Sequence, residues 1–198
     1  LSGAGTGKTR VLTARIANLL ISKKAKPWNI LAVTFTNKAA REMGYRLESL
    51  IGSQANSLWL GTFHSIAARV LRQNAETVDL NSNFTIINPD DQKRLLKELI
   101  NFEKLDEKKI TPQFVSHLIN SWKDKGLTYK DILNNEQNYL LEGKAGKIFK
   151  DYQERLINLN CVDFADLILH NLTIFKQNSN ILESFKKQIT FFLVDEYQ

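Results

Sequence analysis

The segment Gly3-Ala4-Gly5-Thr6-Gly7-Lys8-Thr9 constrains this chain more than any other. Three glycines in five residues are unsuited to a regular helix or strand. From Lys8 to about Ser22, however, Val11, Leu12, Ile16, Leu19 and Leu20 recur on one helical face. A glycine-rich loop running straight into a helix brings backbone N–H groups and the positive end of a helix dipole to one point, and such a point attracts phosphate. The loop can curl closely around β- and γ-phosphates, Lys8 adds a mobile positive charge, and the Thr9 hydroxyl is suited to Mg²⁺. The phosphate-loop pattern asks for glycine six residues before the lysine. This chain has Ser2 there, which is also small. A turn with no ligand is the competing reading, and Gly-Lys-Thr at a helix start weighs against it.

The rest of the chain reads as alternating strand and helix, then helix upon helix. Ile30-Leu31-Ala32-Val33-Thr34-Phe35 is a continuous apolar run, the pattern of a strand buried on both faces of a parallel sheet. Asn37 is suited to cap a helix from Lys38 to about Ile51, with Ala40, Met43, Leu47 and Leu50 inward. Leu58–Thr62 predicts a second strand, with a helix from about His64 to Gln73, and Ile189–Val194 a third, buried one. This is the pattern of an α/β layered sheet. Between Asp79 and Asn158, after Phe84-Thr85-Ile86-Ile87, the pattern is amphipathic helix throughout. Asp90 or Asp91 can cap one helix, and Thr111 with Pro112 can start the next. The expected organisation is therefore an α/β domain in two parts, residues 1–78 and 159–198, with an inserted all-helical subdomain over 79–158.

Val194-Asp195-Glu196 supplies the complement to the phosphate loop. Asp195 can hold magnesium directly or through water, Glu196 can orient and deprotonate an attacking water, and Gln198 stands where an amide can sense a γ-phosphate. Paired acids at a strand end are more often merely solvated; the loop upstream favours the catalytic reading. Composition adds little. Twenty-seven Lys and Arg against 21 Asp and Glu give a net charge of +6 over 198 residues, compatible with a polyanionic partner without requiring one. One cysteine excludes a disulfide framework and fits a reducing, cytoplasmic compartment. No run approaches the ~20 apolar residues of a membrane span.

Three further segments complete a series: Leu31-Ala-Val-Thr-Phe-Thr-Asn-Lys-Ala-Ala-Arg-Glu-Met43, Gly61-Thr-Phe-His-Ser65 and Val162-Asp-Phe-Ala-Asp-Leu-Ile168. With the phosphate loop, Asn120-Ser-Trp-Lys-Asp-Lys-Gly-Leu127 and Val194-Asp-Glu-Tyr-Gln198, they resemble in order and spacing the UvrD/PcrA/Rep helicases of superfamily 1, over essentially the whole chain. The resemblance implies a RecA-like P-loop NTPase sheet interrupted by a helical subdomain. It implies ATP and Mg²⁺ as cofactors, and ATP-driven 3′ to 5′ stepping on single-stranded DNA with separation of 3′-tailed duplexes. By similarity, Arg10 lies against adenine and Arg46 approaches the phosphates. Phe35 and Phe164 stack on bases, while Thr36, Asn37 and His64 line the strand near its backbone. Pattern alone would put Phe35 and Phe164 in the core and make His64 structural.

The same resemblance implies that the motor continues outside these 198 residues, in a second RecA-like domain carrying arginine fingers. The chain alone is then expected to be a poor ATPase and no helicase. The alternatives are the motor of a helicase-nuclease, or a gene fragment that only binds nucleotide.

Overall fold

The computed structural model describes residues 7–195, without the side chain of Lys8. Along the chain run α1 (Lys8–Ile21), β1 (Ile30–Thr34), α2 (Asn37–Ile51), β2 (Trp59–Thr62), α3 (Phe63–Gln73), β3 (Thr85–Ile86), α4 (Pro89–Phe102), α5 (Pro112–Asp124), α6 (Tyr129–Leu133), α7 (Leu140–Gly143), α8 (Ala145–Asn158), β4 (Cys161–Val162), α9 (Phe164–Gln177), α10 (Ser179–Gln188) and β5 (Phe191–Val194). They divide into two compact units. One comprises the residues up to Arg69 together with those from Phe175 onward; the other is Val70–Ile174.

The first unit holds a parallel sheet of order β2-β1-β5. All five residues of β1 are buried, as a central strand covered on both faces requires. On one face Ile30, Ala32 and Leu193 pack with Ile16 and Leu20 of α1 and Met43 and Leu47 of α2. Trp59 is 2% exposed; the Arg69 guanidinium lies 3.9 Å from its ring centroid, and Phe185 of α10 meets it edge-on at 6.1 Å.

Several sequence expectations shift here. Thr36, not Asn37, caps α2: its hydroxyl accepts from the Ala39 N–H at 3.1 Å, which makes Asn37 the first helical residue. Leu50 is 56% exposed, because the buried stripe of Met43 and Leu47 continues at i+4 spacing to Ile51. Val11 is exposed and Thr13 buried, so the inner stripe of α1 is rotated from the one expected. Phe192 is exposed too. Among the described residues β5 pairs only with β1, so it is an edge strand and not the fully buried one its apolar run predicts.

In the second unit β3 and β4 form a short parallel pair. Helices α4, α5, α6 and α8 enclose a core in which Trp122 stacks on Phe149, ring centroids 5.9 Å apart. Asn88 caps α4, accepting from the Asp90 and Asp91 N–H groups at 2.9 Å. Pro89 occupies the first helical position, so the cap falls before it and the two aspartates sit in the first turn. Thr111 caps α5 ahead of Pro112. Among the described residues no helix is long and apolar enough to cross a membrane.

Candidate functional site

Parallel strands deliver whatever follows them to one edge of the sheet. Val33 pairs with Val194 and Thr34 with Thr62, so Phe35, Phe63 and Asp195 emerge on that edge together. The Asp195 N–H donates to the Val33 carbonyl at 2.8 Å, extending the ladder by one residue. Helix α1 brings its first turn to the same place. Thr9 Oγ1 donates to Oδ2 of Asp195 at 2.8 Å, across 186 positions of sequence. Asp195 is buried, and the Thr13 hydroxyl, buried as well, ties back to the Thr9 carbonyl at 2.8 Å.

Gly7 enters α1 with φ of 82° and ψ of 6°, a left-handed conformation that glycine takes at little cost. The helix starts with neither a side-chain cap nor an acidic residue in its own first turn; the Asp195 carboxylate, held by Thr9, is the negative group described beside its positive end. Arg10 is exposed in that first turn, and Arg46 is exposed on α2. Gly3, Ala4, Gly5, Thr6, the Lys8 side chain, Glu196 and Gln198 lie outside the described residues.

The ends of β1 and β2, with the starts of the helices that follow them, form a second cluster on this edge. Phe35 is 80% exposed, contrary to its burial preference and to the apolar run it ends. The Thr34 hydroxyl donates to the Thr36 carbonyl at 3.0 Å, which bends the chain into α2. Thr62 Oγ1 lies 3.5 Å from Asn37 Oδ1 and accepts from the Ser65 N–H at 3.2 Å, so the end of β2 meets the start of α2 side chain to side chain. A Cβ on Gly61 would stand 2.3 Å from Ser65 Oγ; only glycine leaves room for that arrangement. His64 is exposed beside it. Thr34, Thr62 and Ser65 lie within the segments Leu31–Met43 and Gly61–Ser65, but their residue types alone point to no role.

Phe164 belongs to the second unit, where it is the first residue of α9 and 54% exposed. On either side of it, Asp163 and Asp166 form a reciprocal cap. The Asp166 N–H donates to Asp163 Oδ1 at 2.8 Å, and the Asp163 N–H to Asp166 Oδ2 at 3.2 Å. Lys123 bridges the two remaining oxygens, with Nζ 2.6 Å from Asp163 Oδ2 and 2.7 Å from Asp166 Oδ1. Tyr152 Oη, Gln92 Nε2 and Gln153 Nε2 complete the shell at 2.9, 3.2 and 3.0 Å.

Burial opposes charge on Lys123, but Asp166 and Asp163 outweigh it and hold its pKa above the ordinary lysine value. Burial also acts to raise Asp166, yet Lys123 and His170 bring it below the usual carboxylate range. Asp163 goes the other way, pushed up by burial and by Asp166. Burial lowers His170 and raises the Tyr152 phenol. Nothing in the charge pattern gave this network away, because charged residues are seldom fully buried. The available signal was the Asp-x-x-Asp spacing at a helix start among apolar neighbours.

Fold and edge together define a parallel α/β protein whose polar groups converge beyond its strand ends. Residues 1–198 match the model of the UvrD/REP helicase N-terminal domain, and the chain belongs to that family. Over its full length it is 46% identical to a probable DNA helicase II homolog of Rickettsia conorii. It is 45% identical to the DNA helicase II of Rickettsia typhi and 41% to the ATP-dependent DNA helicase PcrA of Staphylococcus aureus. The chain spans 30% of the two rickettsial relatives and 27% of the staphylococcal one.

Proposed function

We propose that this chain is the nucleotide-binding part of an ATP-dependent 3′–5′ DNA helicase of the UvrD type. Its fold in this reading is RecA-like, with a phosphate loop and a helical insertion expected over residues 79–158. The observation that carries the reading is the Thr9–Asp195 pair. A hydroxyl just after the lysine of a phosphate loop and a carboxylate at a parallel strand end are hard oxygen donors of the kind magnesium takes. They stand 2.8 Å apart across 186 positions of sequence.

In this reading Thr9 and Asp195 hold the ion, directly or through water. The N–H groups of Gly3, Ala4, Gly5, Thr6 and Gly7, together with Lys8, hold the phosphates. Magnesium, when bound, supplies positive charge against the phosphate oxygens. Glu196 orients and deprotonates the attacking water, and Gln198 senses the γ-phosphate. Arg10 lies against adenine and Arg46 reaches the phosphates.

Single-stranded DNA is the proposed polymer. An exposed ring at a sheet edge is a stacking surface that tolerates any base, worth about 1–3 kcal/mol per base, and Phe35 and Phe164 are assigned that role. Thr36, Asn37 and His64 offer hydrogen bonds to the backbone; the Thr36 hydroxyl, already accepting from Ala39, keeps its own proton to donate. A net charge of +6 suits the partner. Because the chain spans under a third of its relatives, separation of 3′-tailed duplexes and cooperation with a second RecA-like domain are proposed for a protein of their length.

Replacing the lysine tests the assignment. Lys8→Ala is expected to abolish binding of a fluorescent ATP analogue while sparing oligothymidylate binding. Unchanged analogue affinity in that variant would remove Lys8 from its role.

A further inference from the structure

A buried ionic network such as the one around Phe164 is weak evidence of added stability. A buried ion pair roughly breaks even against apolar side chains of the same volume, because desolvation consumes the Coulomb attraction. What it does supply is directional geometry, through short charge-assisted hydrogen bonds. That geometry is concentrated on one turn. Gln92 of α4, Lys123 of α5, and Tyr152 and Gln153 of α8 all donate to Asp163 or Asp166, the two residues that open α9. Between those carboxylates stand only Phe164 and Ala165. Phe164 therefore has its backbone held from both sides and is 54% exposed. With its backbone fixed this way, Phe164 has only its two side-chain torsions left to give up when a flat partner stacks on its ring, which is the economy of preorganisation.

We propose that Lys123 is a positioning residue for Phe164: by drawing Asp163 and Asp166 together it fixes the first turn of α9 and makes the exposed ring a rigid platform for an unpaired nucleic-acid base. The proposal rests on the reading of Phe164 as a base-stacking residue. Lys123 acts through the two aspartates and touches no nucleic acid itself, since its side chain is fully buried.

Two readouts on the whole chain test it. The first is ¹⁹F NMR of protein labelled with 4-fluorophenylalanine, in which the resonance of residue 164, one of 11, is assigned by its disappearance in Phe164→Leu. The second is a binding titration with fluorescein-labelled oligothymidylate. Lys123→Met and the milder Tyr152→Phe are each measured alone and combined with Phe164→Ala. Phe164→Ala is expected to weaken binding about tenfold. Lys123→Met should weaken it several-fold and shift or broaden the residue-164 resonance while the others stay in place. In the Phe164→Ala background it should have no further effect, because its influence runs through the ring. Tyr152→Phe should show the same pattern at smaller amplitude, and it decides the matter if Lys123→Met does not fold.

Equal losses with and without Phe164, or an unmoved resonance with unmoved affinity in a folded variant, would overturn the proposal. So would a moved resonance with unchanged affinity; if Phe164→Ala still weakens binding, the stacking reading survives that result. If Phe164→Ala leaves oligothymidylate binding intact, the stacking reading itself falls and the proposal falls with it.

Discussion

Thr9 and Asp195 meet in a 2.8 Å hydrogen bond that closes the first turn of α1 onto the end of β5. The bond joins a neutral donor to a buried carboxylate, and deleting such a donor costs about 1–3 kcal/mol. Thr9→Val keeps the shape of the side chain and removes the hydroxyl. In metal-free buffer it is expected to lower the melting temperature by about 2–12 °C, whereas Thr9→Ser should stay near the parent. Thermal denaturation followed by circular dichroism checks this; equal melting of Thr9→Val and Thr9→Ser would remove the bond from the account.

Gly7 places a second constraint on this turn, through its backbone conformation. Its φ of 82° penalises any side chain, although among the described residues, its chain neighbours aside, no atom lies within 4 Å of where a Cβ would stand. Gly7→Ala therefore strains the backbone without a clash, and about 1 kcal/mol of stability should be lost. Urea denaturation reads that loss as a lower midpoint at constant slope.

Phe35 separates function from folding. With Phe35 80% exposed, Phe35→Ala should change stability by less than about 0.5 kcal/mol, the usual range for a surface substitution. Oligothymidylate affinity should fall about tenfold, as for the loss of one stacked base. An unfolding midpoint that drops along with the affinity would return Phe35 to the core, where its sequence pattern alone puts it.

His170 predicts a pH dependence. Burial holds its pKa below the ordinary value of about 6.5, so the folded chain keeps the imidazole neutral at a pH where the unfolded chain takes a proton. The stability this group contributes is present above pH 6.5 and is lost as pH falls from there toward the lowered folded value, at no more than about 1.4 kcal/mol per pH unit. Asp166, with Oδ1 3.9 Å from His170 Nε2, moderates the loss without reversing it. Denaturation midpoints between pH 7.5 and 5.5 should slope downward in the parent and flatten in His170→Asn. Parallel slopes would exclude His170 as the source.

The sequence makes the first unit legible where one physical rule dominates. The apolar, partly β-branched run from Ile30 reads as a buried parallel strand and is one over Ile30–Thr34, and the glycine-rich junction at Gly7 reads as a sharp entry into a helix and is one. Pattern misled where chain ends and cover decide. Phe35 leaves the sheet one residue past β1, and Phe192 sits on a strand paired on one side only. It also missed the Lys123–Asp163–Asp166 network, since three charged residues from α5 and the start of α9 are drawn inside by each other and not by any local preference. Among the expected site residues, Thr9 and Asp195 are brought together, and Asn37 meets the end of β2 at Thr62.

The most direct test of the central claim is titration calorimetry of this chain with a non-hydrolysable ATP analogue, with and without Mg²⁺. The account predicts saturable binding that weakens at least tenfold when Mg²⁺ is chelated, and a Thr9→Val/Asp195→Asn variant whose residual binding no longer responds to the ion. Affinity independent of Mg²⁺ in the parent chain, or no binding in its presence, would contradict it.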